Sequence, residues 1–170
     1  TPQRSNRTEG KVTGTKIKTI PSPNANPSKT GDWIENAYYY DDKGRPIYAV
    51  SRTLYQGNPV YIHYSGNQYN FSNQLMLNKH VVINTLADDG IYRHSELHRN
   101  VYDGTTGRLS QTRHKVDGGP FNVTSIYTYD ELGRMKRKVL GNYGEVQYFD
   151  YNIRGQLTRI NSLLAETGGR

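Results

Sequence analysis

The 170-residue sequence predicts an all-β fold of antiparallel hairpin repeats that together form a long twisted sheet. Three observations carry that expectation. Fifteen Tyr and 17 Gly, with a mean hydropathy of −0.86, make a composition of strands and tight turns. A Tyr-Asp-x-x-Gly-Arg unit recurs five times between residues 40 and 156. No segment reads as a convincing helix; residues 92–101 fit helical periodicity, but strand alternation explains them as well.

Residues 1–32 stand apart, with four of the seven prolines and many Thr, Ser, Asn and Lys. They divide into a tail (1–11), an edge strand (12–20) carried by alternating Lys16-Ile17-Lys18-Thr19-Ile20, and a proline-rich loop (21–31). That loop cannot pair as a central strand, because each proline lacks the amide donor of the ladder. Residues 33–164 form the repeat sheet, and 165–170 a polar C-terminal tail.

The repeat defines the sheet. Tyr40-Asp41-Asp42-Lys43-Gly44-Arg45 recurs as Tyr129-Asp130-Glu131-Leu132-Gly133-Arg134. With one residue inserted it becomes Tyr102-Asp103-Gly104-Thr105-Thr106-Gly107-Arg108. Two degenerate copies are Tyr69-Asn70-Phe71-Ser72-Asn73-Gln74 and Tyr151-Asn152-Ile153-Arg154-Gly155-Gln156. The tyrosine ends an incoming strand. The Asp or Asn accepts a backbone N–H two residues on and starts a type I turn. The glycine takes positive φ and forms the bulge that lets the outgoing strand leave with the right twist. Where glycine is missing stands Asn73, the residue that best tolerates that conformation. A single hairpin is marginal in water, so the units are expected to pair side by side.

Other chemistry is weakly marked. Zero cysteines remove disulfides, thiolate metal sites and cysteine nucleophiles. No apolar run is long enough for a membrane span, and no signal peptide opens the sequence. His94-Ser95-Glu96-Leu97-His98 invites a metal reading, yet in a strand these residues share one solvated polar face. Asp88-Asp89-Gly90 reads as a turn rather than a cation loop. Arg134-Met135-Lys136-Arg137-Lys138 is the one dense basic cluster in a chain of net charge +7, but a strand splits it between two faces. No phosphate loop or nucleophile elbow is present. The expectation is therefore no enzyme, no catalytic residue, no metal and no cofactor.

The unit resembles the YD repeat of the RHS (rearrangement hotspot) family, most closely at residues 38–47, 127–134 and 150–157, in a Bacteroidetes-like phrasing. The resemblance covers residues 33–164 and implies that the chain is a section of an RHS-type β-shell. It further implies a cell-surface or secreted structural segment, with its signal and anchor outside this sequence. Its partners would be the rest of the same shell and an enclosed toxin domain. The family's Asp-Pro cleavage signature is missing, since none of the nine Asp precedes Pro. On this reading the structural positions are Tyr40, Asp41, Gly44, Arg45, Tyr69, Asn70, Asn73, Tyr102, Asp103, Gly107, Arg108, Tyr129, Asp130, Gly133, Arg134, Tyr151, Asn152 and Gly155. The rival reading is a carbohydrate-binding or adhesion module that stacks sugars on exposed tyrosines, with nucleic-acid binding ranked below it. Raw sheet edges also predict an edge-mediated homo-oligomer.

Overall fold

In the computed structural model the described residues are 4–19, 32–55, 58–87, 90–142 and 144–161. The fold is all-β, with antiparallel strands whose order follows the chain and no helix among the described residues. The first strands are β1 (Gly14–Lys18), β2 (Trp33–Tyr40), β3 (Pro46–Tyr55), β4 (Asn58–Tyr69), β5 (Leu75–Ala87) and β6 (Gly90–Tyr102). They are followed by β7 (Leu109–Val116), β8 (Asn122–Tyr129), β9 (Met135–Leu140), β10 (Val146–Tyr151) and β11 (Leu157–Ile160). Residues 92–101, where two periodicities competed, lie in β6. The proline-rich loop, Asp88, Asp89 and the C-terminal tail lie outside the described residues.

Two compact units divide the chain: Thr1–His98 with Val116–Gly119, and Arg99–Lys115 with Pro120–Arg170. In the first unit the strand register builds two unlike faces. One carries the rows Ala37–Val50–Tyr64–Val81 and Tyr39–Tyr48–Gly66–Lys79. The other carries Asn36–Ser51–His63–Val82 and Tyr38–Ala49–Ser65–His80. One apolar and one polar face is the ordinary condition of an antiparallel sheet. Among the described residues of this unit Ile47, Val50, Val60 and Val81 are the buried apolar side chains, so aromatic rows replace a thick core. Tyr39, Tyr48 and Tyr64 stand in sequence across three strands, with ring centroids 5.6 and 6.1 Å apart. Such cross-strand aromatic pairs contribute roughly 0.2–1 kcal/mol each.

The second unit has the same grammar on shorter strands. Ile126 pairs with Val139 and Val139 with Val146, and Val139 is buried. In β9, Lys136 and Lys138 alternate with Arg137, so the basic cluster divides between two faces.

Of the edge strand expected over 12–20, Gly14–Lys18 form β1, paired in full register with β2, while Ile20 lies outside the described residues. The segment before it is not a free tail. Ser5 is 3% exposed and donates its N–H to the Tyr40 carbonyl at 2.9 Å, while the Arg4 guanidinium lies 4.8 Å from the Tyr39 ring centroid. Polar composition suggested solvent; a backbone hydrogen bond and a cation–π contact hold the segment down instead.

Candidate functional site

All five anchoring tyrosines (Tyr40, Tyr69, Tyr102, Tyr129, Tyr151) are the last residues of their strands, and each outgoing strand begins directly after the Arg or Gln. The turns share one backbone pattern. Gly44, Asn73, Gly133 and Gly155 donate N–H to the carbonyls of Asp41, Asn70, Asp130 and Asn152, at 2.9–3.2 Å. Gly107 donates to Asp103 across the inserted residue at 2.8 Å. The five donors have φ of 75°, 65°, 83°, 78° and 68°, all left-handed. The register shifts at Tyr40, Tyr69, Tyr129 and Tyr151, where the bulge turns the chain into the reversal.

The side chains close each turn in one of two ways. In the acidic form, Asp41 Oδ1 accepts N–H from Lys43 (3.0 Å) and Arg45 (2.9 Å), and its Oδ2 accepts Arg45 Nε (2.6 Å). Asp130 treats Arg134 in the same manner, at 2.8 Å from the amide and 2.7 Å from Nε. In the amide form, Asn70 Oδ1 accepts the Gln74 N–H (2.9 Å) while its Nδ2 donates to Gln74 Oε1 (2.6 Å). Asn152 and Gln156 repeat that geometry at 3.0 and 2.9 Å. Asp is thus matched to Arg, and Asn to Gln. Asp103 departs, since the insertion turns its Oδ1 to Thr105 and Thr106, including the Thr106 hydroxyl at 2.7 Å.

Each turn is also tied to the following one within its unit. Arg45 lies 4.7 Å from the Tyr69 ring centroid and donates to the Asn70 carbonyl (3.3 Å) and Asn73 Oδ1 (2.8 Å). Tyr69 in turn donates its hydroxyl to the Pro46 carbonyl at 3.1 Å. Arg134 and Tyr151 repeat both contacts, at 4.9 Å and, to Met135, 2.9 Å. Arg108 and Tyr129 do so at 5.8 Å and, to Leu109, 2.8 Å. The ring, the cation and the hydroxyl form a staple between consecutive hairpins. Replacing Tyr151 by Phe keeps the ring and removes one such bond; a loss of about 1 kcal/mol is expected in urea unfolding.

The same staple occurs ahead of the five repeat copies. Gly10 has φ of 70°, Lys11 Nζ stands 5.2 Å from the Tyr40 centroid, and the Tyr40 hydroxyl donates to the Val12 carbonyl at 2.8 Å. Gly10-Lys11-Val12 therefore does for Tyr40 what Gly44-Arg45-Pro46 does for Tyr69. Its closing bond differs, running from the Lys11 N–H to the Thr8 carbonyl.

Electrostatics favour the ionised turns. Burial pushes the Asp41 carboxyl up, but hydrogen bonds and charge from Arg45 outweigh it and hold the group below its ordinary value of 3.8. Asp130 is lowered by the same balance with Arg134, and Asp103 chiefly by the Thr106 amide. A depressed folded pKa gives stability that is present above the unfolded value and lost as pH falls through the folded one. Urea midpoints are expected to drop below about pH 4. A flat midpoint down to about pH 2 contradicts the ionised closure.

A second feature is a groove of about 560 Å³ on the aromatic face of the first unit. Tyr39, Ile47, Tyr48 and Leu77 form its apolar walls, and Arg4, Asn67, Gln68 and Lys79 its polar rim. The groove exists because Gly66 stands between Tyr48 and Lys79 in their row. Burial and the flanking phenols of Tyr64 and Tyr39 raise the Tyr48 pKa, so its hydroxyl stays a donor. These residues come together only through register, which is why they formed no motif in the sequence.

His94, Glu96 and His98 share one face of β6, with Glu96 3.3 Å from His94 Nε2 and 3.6 Å from His98 Nε2. Gly90 opens that strand. No protein-family model matches the chain. No curated protein matches it significantly in sequence.

Proposed function

We propose that the chain is a structural segment of an RHS-type, YD-repeat protein of the cell surface or of secreted material. Its task is mechanical: consecutive hairpins, each tied to its neighbour, build a wall that encloses or presents a partner domain of the toxin-delivery type. The observation that supports this reading is the staple itself. Tyr, Arg and Asp are engaged in closing and joining turns, and the same contacts recur from copy to copy. Within each unit such a wall is continuous in backbone hydrogen bonds, which suits it to sequestering a domain.

The test is lysine cross-linking of the protein with its native flanking sequence. Cross-links from Lys79 or Lys16 to a domain outside residues 1–170 are expected. Cross-links confined to the repeat segment, or joining only its copies at the strand edges, overturn enclosure.

The groove favours a second reading, a glycan-binding or adhesion module. Tyr39 and Tyr48 offer faces for sugar rings, and Gln68 offers an amide for their hydroxyls. Gly66→Leu would fill the groove at little structural cost, because the nearest atom to a new Cβ is the Ile47 carbonyl oxygen at 4.0 Å. Reproducible glycan-array binding lost in Gly66→Leu, with the melting midpoint kept, supports adhesion. An empty array removes it.

A further inference from the structure

We propose that His94, Glu96 and Asp117 form a proton-dependent clamp that holds the turn following β7 against β6. Every atom of the clamp lies in the first compact unit. Asp117 is a non-glycine residue at φ 45°, a conformation that side chains avoid unless the surroundings impose it. What imposes it is Ser95. The Asp117 N–H donates to the Ser95 carbonyl at 2.9 Å, and the Ser95 N–H donates back to Asp117 Oδ1 at 2.6 Å. The second carboxylate oxygen, Oδ2, lies 3.0 Å from His94 Nδ1. On the other side of the ring, Glu96 Oε1 lies 3.3 Å from His94 Nε2. The Tyr92 ring stacks on the imidazole, with centroids 6.5 Å apart and planes 10° from parallel.

Both nitrogens of one imidazole therefore face carboxylates. A neutral imidazole has one N–H and one lone pair, so it satisfies one carboxylate and repels the other. Only the imidazolium serves both. Hydrogen bonding to Glu96, then to Asp117, raises the His94 pKa above its ordinary 6.5 against an opposing push from desolvation. Asp117 is lowered, chiefly by the Ser95 amide and then by His94. In the same unit His98 lies 3.6 Å from Glu96 Oε2, and the His80 ring meets that of His98 edge-on at 6.5 Å.

The sign follows from the raised pKa. The contribution of the clamp is complete below 6.5 and is lost as pH rises through the folded value. Deprotonation costs His94 one of its two carboxylate bonds, and the Nε2–H tautomer, which keeps the Glu96 bond, leaves Asp117 held by Ser95 alone. The turn is then tightest in mildly acidic medium and loosest above it. This behaviour is independent of the scaffold reading and survives its failure.

Amide exchange followed by NMR on the whole chain tests it, with the Ser95 and Asp117 amides as reporters. Their protection, corrected for intrinsic exchange, is expected to fall several-fold between roughly pH 5.5 and 8.5, in step with the His94 ring titration. The Gly133 amide, bonded to the Asp130 carbonyl, serves as the unresponsive control. His94→Gln is expected to abolish the pH dependence at Ser95, and Asp117→Asn to return the His94 titration toward 6.5. A His94 titration at or below 6.5 in the native chain overturns the clamp, as does equal pH dependence at Ser95 in His94→Gln.

Discussion

Gly133→Val is expected to cost about 2 kcal/mol, read as a lower urea midpoint at unchanged slope. The residue sits at φ 83°, where a β-branched side chain meets its own backbone. The new Cβ would also stand in the place now held by the Arg108 guanidinium, so the cation leaves its position beside Tyr129. The turn and one staple thus fail together. Gly155→Asn isolates the backbone part: φ is 78°, nothing lies within 4 Å of an added Cβ, and Asn73 already fills the equivalent position at φ 65°. That change is expected to cost well under about 1 kcal/mol. Equal losses in the two variants would contradict the assignment of the strain to φ and side-chain shape.

The other large effect concerns the matched pairs that close the turns. Asp41 is 9% exposed, and its carboxylate satisfies two amides and a guanidinium. Asp41→Ala strands all three and is expected to cost about 2–3 kcal/mol. Asp41→Asn is the more informative change. It keeps the Oδ1 acceptor for the Arg45 amide but puts an NH₂ against the Arg45 guanidinium, donor against donor. Adding Arg45→Gln restores complementarity, because Asn152 and Gln156 show that the amide pair fits the same backbone. The double variant is expected to recover part of the loss and stay below the native chain, since a neutral amide does not replace the guanidinium over the Tyr69 ring. Additive losses in a double-mutant cycle would mean that the two positions do not form a pair.

Much of this was legible in the sequence because turn chemistry is local. A left-handed position demands Gly or Asn, and an Asp or Asn three to four residues earlier supplies the acceptor; Gly44, Asn73, Gly107, Gly133 and Gly155 declare themselves on those grounds. The pairing of Asp with Arg and of Asn with Gln was also written in the five copies. Its reason needed the 2.6–2.9 Å contacts within the turns of Asp41, Asn70, Asp130 and Asn152. The groove had no such signal. Tyr39, Tyr48 and Leu77 meet through strand register, which depends on every intervening turn. Ser5 and Lys11 were hidden for another reason: their segment lacks Tyr and Asp, and its role rests on a single glycine and cation.

The distances between anchoring tyrosines, 29, 33, 27 and 22 residues, vary while the reversals hardly change. Uneven spacing is tolerated because each reversal is closed by its own atoms and, within a unit, is tied to the following one. The length differences go into the strands and their far-end connections. Such an array can gain or lose an entire module during evolution, or under an engineer's hand, without any interior having to be redesigned around the cut.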